Sequence, residues 1–254
     1  MPPIISVIII CKNEAHDIDA CLASVAWADE IIVLDSGSGD ETLSIARKYT
    51  SNIHSNMDWQ GFGVQKNRVL ALATGDWVLS IDADERVSDA LRLEILQAIK
   101  SNTHDVFNMP RLSSYCGQFI HHSGWWPDRV TRLFKRDAAK FSDDLVHERL
   151  VFAGKAAELN APLTHITYKD LDEMLLKMNQ YSSLGATNAQ KKGKHGSLIS
   201  AVAHGFWAFI RTYFLRLGFL DGAIGFMLAV SNAETTYYRY LKLYFLNKSS
   251  NSKH

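Results

Sequence analysis

The sequence predicts an α/β fold: a mostly parallel open sheet flanked by helices, with a helical C-terminal extension. Three observations predict it. The continuous β-branched run Ile4 to Ile10 has the composition of a strand buried on both faces. Runs of that kind alternate with segments of helical period through the first hundred residues, as in right-handed βαβ units. Residues 191–254 differ from everything before them, being apolar, aromatic and basic.

In chain order, Asn13-Glu14 ends the first run, and Ile18, Leu22 and Val25 mark a helix. Glu30 to Leu34 is a second buried strand. The loop Asp35-Ser36-Gly37-Ser38-Gly39-Asp40 follows, and Asp40 is expected to cap a helix from Glu41 to Tyr49. Asn67 to Ala73 lies on another helical segment. Trp77 to Ile81 is a further strand, ending at Asp82-Ala83-Asp84-Glu85, and Ser88 caps a helix with Leu91, Ile95, Leu96 and Ile99 as its apolar positions. Residues 105–163 carry short strand-like pieces (Val106–Met109, Val130–Phe134, Leu150–Phe152) between polar and aromatic loops, an antiparallel extension of the sheet. Asp170 opens a helix through Leu171, Met174, Leu175, Met178 and Tyr181. The basic segment Lys191-Lys192-Gly193-Lys194-His195-Gly196 separates it from the apolar C-terminal region. The expected division is 1–165 for the sheet domain and 166–254 for a helical, basic, amphipathic region.

The 254 residues include 27 Lys plus Arg and 27 Asp plus Glu, a net charge of zero. The zero is a cancellation. Residues 1–190 carry 18 basic and 25 acidic residues; residues 191–254 carry nine basic residues against Asp221 and Glu234 alone. A chain that is basic throughout and coats nucleic acid is excluded. Three cysteines, Cys11, Cys21 and Cys116, in a chain of this size argue against a disulfide framework and for a reducing cytosol. No basic n-region or cleavage site is read at the N-terminus, so no signal peptide is expected. His204, Arg211, Arg216 and Asp221 break the apolar region Leu198–Val230, so no uncharged stretch there reaches the roughly 18 residues of a spanning helix.

In an open α/β sheet, ligands bind beyond the carboxyl ends of the strands. Two acidic clusters fall there: Asp35, and Asp82-x-Asp84-Glu85. Hard carboxylate oxygens of this kind suit Mg²⁺ or Mn²⁺ held together with substrate phosphates. A bare Asp-x-Asp is more often a solvated loop; its place after a buried strand, beside a second acidic loop, favours a ligand. Gly61-Phe62-Gly63 lacks the spacing of a phosphate loop. Lys66, Asn67 and Arg68 suit either a diphosphate or a polar surface. His147-Glu148 lacks the second histidine of a zinc-protease motif and offers a carboxylate for general-base work. The loop Gly124-Trp125-Trp126-Pro127-Asp128-Arg129 reads equally as a sugar-stacking loop or a buried corner. The cysteines read as core fillers.

Together, ISVIIICKNEA (4–14), IIVLDSGSGDET (31–42), GFGVQKN (61–67), GDWVLSIDADER (75–86) and Asp128–Phe134 with Val146-His147-Glu148 resemble glycosyltransferase family 2 with the GT-A fold, over roughly the first two-thirds of the chain. With GWWPD (124–128) and GFLDGAIG (218–225), the chain is similar to the bacterial lipopolysaccharide inner-core heptose β-1,4-glucosyltransferases of that family. The resemblance makes 1–165 a GT-A catalytic domain and implies the following roles. Asp35 would bind the uracil of a UDP-sugar, with Glu14 and Asn67 along the nucleotide. Asp82 and Asp84 would be the Asp-x-Asp motif, Asp84 contacting a divalent metal, Mg or Mn, and Asp82 lying nearer the ribose or sugar. Glu148 would take the proton from the acceptor hydroxyl. Trp125, Trp126 and Asp128 would shape the sugar pocket, and Arg132 would meet phosphate. Single displacement inverts the anomeric centre, so UDP-α-glucose would give a β-linked product.

The Gln-x-x-Arg-Trp motif of processive synthases is absent. The acceptor implied is the inner-core heptose of lipopolysaccharide. Alternatives are another UDP-sugar or lipid-linked acceptor of the cell envelope, or a nucleotide-sugar-binding membrane protein without catalysis. The basic C-terminal region reads equally as a helical lid or as a binder of the anionic inner-membrane surface. The second reading places a cytoplasmic enzyme peripherally on that membrane.

Overall fold

The computed structural model describes residues 3–142 and 148–251. The elements run β1 (Ile5–Cys11), α1 (Ile18–Ser24), β2 (Glu30–Asp35), α2 (Thr42–Ala46), β3 (Ile53–Ser55), α3 (Phe62–Leu70), β4 (Trp77–Asp82), β5 (Glu85–Val87) and α4 (Asp89–Ser101). Strands then dominate: β6 (Val106–Tyr115), β7 (Gln118–Phe119), β8 (Asp128–Lys135), β9 (Ala139–Phe141), β10 (Leu150–Phe152), β11 (Ala157–Glu158) and β12 (Leu163–Tyr168). The chain closes with α5 (Leu171–Lys191), α6 (Leu198–Ile210), a π-helical turn (Arg211–Leu215), a 3₁₀ turn (Gly218–Asp221) and α7 (Gly222–Asn251).

The main sheet has the order β3-β2-β1-β4-β8-β6-β12-β5. Strands β3, β2, β1 and β4 are parallel neighbours, and β8 then pairs antiparallel with β4. The fold is the expected α/β sheet with an antiparallel extension, except that Leu150–Phe152 (β10) does not join it and pairs with β9 in a separate two-stranded sheet. Strand β1 lies between β2 and β4 in the sheet, and helices cover its β-branched run on both faces. Val7, Ile9 and Cys11 join one core with Ile18, Cys21 and Leu22 of α1 and Leu91, Ile95 and Ile99 of α4. Ile8 joins the other core with Val69 and Leu70 of α3. Each such side chain, fully buried, contributes about 1.5–3 kcal/mol. The parallel register ends β1, β2 and β4 at Cys11, Asp35 and Asp82, with Cys11 opposite Asp35 and Ile10 opposite Asp82.

Two compact units share the chain: residues 1–111 with 129–165, and residues 112–128 with 166–254. The second unit recruits the segment 112–128, which the sequence gives no reason to separate from its neighbours. Its core joins Tyr115, Ile120, Met174, Ile224 and Leu228. Tyr115 Oη and Ser231 Oγ lie 2.7 Å apart.

Three local readings are corrected. Helix α2 has five residues and does not run from Glu41 to Tyr49; Asp40 accepts from the N–H of its first residue, Thr42 (3.1 Å), and from Ala15 N (3.2 Å), so it holds the helix start against the loop after β1. Helix α3 begins at Phe62, five residues before Asn67, because Gly61, at φ 116°, turns the chain into it. Strand β6 continues to Tyr115, past Met109. Ser88 and Asp170 cap α4 and α5, accepting from Leu91 N and Glu173 N.

Candidate functional site

At the carboxyl ends of β1 and β2, a cavity of about 330 Å³ is lined by Ile10, Cys11, Lys12, Glu14, Ser36, Trp59 and Phe62. The Trp59 and Phe62 rings meet edge-to-face at 4.8 Å and remain about half exposed, 46% and 42%. Apolar walls, two aromatic rings and few polar groups suit a flat heteroaromatic ligand. Asp35 is buried beside this cavity's wall and accepts from Gly37 N, Ser38 N and Ser38 Oγ. It thereby fixes the loop that carries Ser36. Burial, and then the Asp35 carboxylate, push the Cys11 thiol up to about 12, so Cys11 stays a neutral wall.

A chain of charges runs from the end of β4. Lys66 on α3 is 3% exposed, and its ammonium lies 2.9 Å from Asp82 Oδ1 and 2.8 Å from Glu148 Oε1. Arg132 on β8 donates through one Nη2 to Asp82 Oδ2 and to Glu85 Oε1 (2.7 Å). Glu85, fully buried, accepts the Asp82 backbone N–H at 3.0 Å and lies 3.6 Å from Arg111. Burial alone would raise the Asp82 carboxyl, but Arg132 and Lys66 override it and hold it well below the usual carboxylate range. The Arg132 Nε, also buried, has no hydrogen-bond partner among the described residues.

Helix α3 reaches this chain because of Gly63. A Cβ there would sit 1.7 Å from the Ser142 carbonyl oxygen and 3.4 Å from Glu148 Cβ, so only glycine admits so close an approach. Asn67, one turn on, donates to the Phe141 carbonyl and accepts the Phe141 N–H, both at 2.9 Å. Its amide is thus occupied in tying α3 to β9, one position before the segment that leads to Glu148. Val146 and His147, read with Glu148 in the sequence, lie outside the described residues.

Asp84, in the turn between β4 and β5, has its Oδ2 3.3 Å from His165 Nε2. Strand β12 brings the histidine there by pairing antiparallel with β5, His165 opposite Glu85. Among the described residues no group of three or more His, Cys, Asp or Glu side chains is placed to hold a metal. One carboxylate completed by substrate phosphates is nonetheless an ordinary hold on Mg²⁺ or Mn²⁺, and an imidazole beside it adds a nitrogen donor. The donor set therefore fits a divalent ion shared with a diphosphate.

The structure thus brings Lys66, Asp82, Arg132 and Glu148 together, and places Glu14 on the cavity wall and Asp35 behind it. Trp125 and Asp128 belong to the second unit. There the Trp125 ring packs against Tyr115 and Tyr168, at 6.3 and 6.2 Å. The loop before it is pinned by Asp221, which accepts from His121 N, His122 N and Ser123 Oγ. Sequence reasoning missed Trp59, Phe62 and His165, and it read Glu85, the residue after Asp-x-Asp, only as part of the acidic cluster and not as the buried partner of Arg132. None of the three missed residues carries a local signal.

Residues 6–154 match the family described as Glycosyl transferase family 2. An uncharacterised glycosyltransferase of Rickettsia conorii is 30% identical, over 97% of this chain and 90% of its own. The lipopolysaccharide core biosynthesis glycosyltransferase LpsC of Rhizobium meliloti is 28% identical, over 94% of this chain and 92% of its own. Among solved structures, S. aureus TarS 1–349 in complex with UDP-GlcNAc aligns at 15% identity over 97% of this chain and 92% of that one, with a TM-score of 0.47.

Proposed function

The chain belongs to glycosyltransferase family 2, and we propose that it is an inverting, metal-dependent hexosyltransferase that moves glucose from UDP-glucose onto the inner-core heptose of lipopolysaccharide. The observation that supports this reading best is the single ammonium of Lys66, within 2.9 Å of both Asp82 and Glu148. It joins the donor-side carboxylate to the candidate base.

In this reading the uracil ring enters the cavity walled by Trp59 and Phe62, and Glu14 and the Ser36 loop bound it on the polar side. Asp82, kept ionised by Arg132 and Lys66, accepts hydrogen bonds from ribose or sugar hydroxyls. The Nε–H of Arg132, without a partner among the described residues, donates toward the diphosphate. A divalent ion held by Asp84 and His165 would neutralise the charge that grows on the leaving diphosphate. Glu148 accepts the proton of the attacking hydroxyl; Lys66 holds its Oε1 and so orients the other oxygen toward the acceptor. Attack opposite the leaving group inverts the anomeric centre. Asn67 serves this site indirectly, through β9. The resemblance assigns Trp125 and Asp128 to sugar recognition, and the Tyr115–Trp125–Tyr168 cluster gives that loop a fixed frame.

The acceptor assignment is supported by the likeness to LpsC. Docking on the anionic cytoplasmic face of the inner membrane is supported by α6, which exposes Leu198, Ile199, Val202, Phe206 and Trp207. The stretch Leu198–Leu215, with a mean hydropathy of 1.3, is long and apolar enough to cross a membrane by length and composition. It contains Arg211 and is flanked by Lys194 and Arg216, which suits a helix lying in the interface.

A screen of UDP-sugars with truncated lipopolysaccharide as acceptor tests the proposal. Transfer from UDP-glucose with Mn²⁺ or Mg²⁺ is expected, with β stereochemistry. Transfer with retained configuration, or from no UDP-sugar at all, would overturn it.

A further inference from the structure

The second unit contains a cavity that the reaction above does not use. It measures about 240 Å³ and is lined by Asn188 and Lys192 at the end of α5, Lys194 in the loop that follows, and Arg239 and Tyr240 on α7. Three cations therefore face one hollow. No Asp or Glu occurs in residues 174–220 or 235–251, which supply every residue of its lining. Among the described residues, Lys192, Lys194 and Arg239 take part in no ion pair.

The bland account of such lysines is that they complement the carbonyls at a helix C-terminus. Here the backbone does that work. The N–H groups of Lys192, Gly193 and Lys194 donate to the Asn188, Gln190 and Ala189 carbonyls at 3.3, 2.8 and 3.0 Å. The two ammonium groups remain available.

The cavity is also held in shape. Gly196 presses the loop onto α7, where an added Cβ would sit 2.5 Å from Tyr244 N and 2.6 Å from the Tyr240 carbonyl oxygen. Asn247 closes the same loop, accepting from Gly196 N and donating to the Lys194 carbonyl. Arg239 lies across Gly185, whose Cβ would come 2.7 Å from Arg239 Cδ, and its guanidinium stands 5.0 Å over the Tyr240 ring. Tyr240 is stacked in turn on His204 at 4.1 Å. A preorganised guanidinium with two ammonium groups and an amide is the donor set for a phosphoryl group. The volume is below the roughly 300 Å³ at which pockets take drug-sized ligands, so it suits a phosphate and its first ester atoms rather than a nucleotide sugar.

We propose that the cavity lined by Lys192, Lys194 and Arg239 is an anion site for a phosphate monoester, separate from the glycosyl-transfer centre. Two sources present that chemistry: a phosphomonoester headgroup on a lipid, or free phosphate. The proposal depends on neither the donor nor the acceptor assigned above, and its test involves no transfer reaction.

The test uses the full chain and two kinds of variant. Lys192→Gln/Lys194→Gln/Arg239→Gln removes the charges; Ala189, also in the cavity wall, is replaced in Ala189→Phe, which fills the cavity and keeps them. Titration calorimetry with inorganic phosphate is expected to show binding that weakens at least about tenfold in both variants, a change of about 1.4 kcal/mol, while circular dichroism confirms that each is folded. Co-sedimentation with vesicles of equal net charge, carrying either phosphatidic acid or phosphatidylglycerol, separates the sources. Preference for phosphatidic acid that both variants lose identifies a headgroup site; phosphate binding without that preference identifies a site for free phosphate. Removing three cations from the first unit, Arg47→Gln/Lys48→Gln/Lys100→Gln, is expected to change neither measurement. The proposal is overturned if phosphate does not bind the wild-type chain. It is also overturned if Ala189→Phe binds phosphate like wild type, since charge alone would then account for binding without the cavity.

Discussion

In the first unit Lys66 and Arg132 are buried, and each lies against two carboxylates; in the second, Lys192, Lys194 and Arg239 line a cavity whose surrounding sequence holds no acid. The net charge of zero hides both arrangements. Paired cations fix the positions of the carboxylates they touch and keep Asp82 ionised, which is what a reacting centre needs. Cations without an ion pair among the described residues, set around a hollow, suit an anion from outside the chain. Charge balance within a unit, rather than total charge, separates a site that organises its own groups from one that recruits a partner.

The largest expected effect follows from breaking the paired arrangement. Lys66→Met leaves Asp82 and Glu148 without their shared cation, and should cost about 3 kcal/mol in denaturant unfolding together with most of the transfer activity. A loss below about 0.5 kcal/mol would put the pair among exposed salt bridges and erase the contrast between the units.

Gly63→Ala should cost about 1–3 kcal/mol, because the new methyl meets the Ser142 backbone carbonyl. An alanine inside a helix is ordinarily a gain over glycine of about 0.5–1 kcal/mol, so the sign of the change is diagnostic. Gly39→Ala, with nothing within 4 Å of the added Cβ, is the neutral control.

The smallest effect is on acid stability. The Asp82 carboxyl titrates lower in the folded chain than when unfolded, so at low pH the unfolded chain binds the extra proton and stability falls with pH. The Asp82 contribution is complete above the ordinary aspartate value of 3.8 and is lost as pH drops below it. The Asp82→Asn variant should therefore lose less of its Tm than wild type between pH 4 and pH 2. Parallel curves would show that Lys66 and Arg132 do not hold the carboxylate in its charged form.

The strands that carry the site were legible in the sequence because β-branched runs covered on both faces leave an unbroken apolar signal; β1, β2 and β4 each lie within one residue of the reading. Strand β6 was read short because Asn108, Pro110 and Arg111 interrupt its apolar pattern. Helix α3 was hidden by the two glycines of Gly61-Phe62-Gly63, one turning the chain and the other allowing close approach. Asp82 and Glu148 could be named from motif and resemblance, but nothing local says that Lys66 joins them, since its partners lie 16 and 82 residues away. His165 is a lone histidine in a short strand; only the pairing of β12 with β5 brings it to Asp84. Trp59 sits in a polar stretch whose chain direction no periodicity predicts. Local composition thus encodes the scaffold, whereas the site is assembled by sheet register and by one close helix contact.

The central claim, that Glu148 is the base of a glycosyl transfer organised through Lys66, is tested most directly by Glu148→Gln, with turnover and UDP affinity measured on the same preparation. Transfer should fall by about 10²–10⁴-fold while UDP binds as tightly as in wild type. Turnover equal to wild type would contradict the claim.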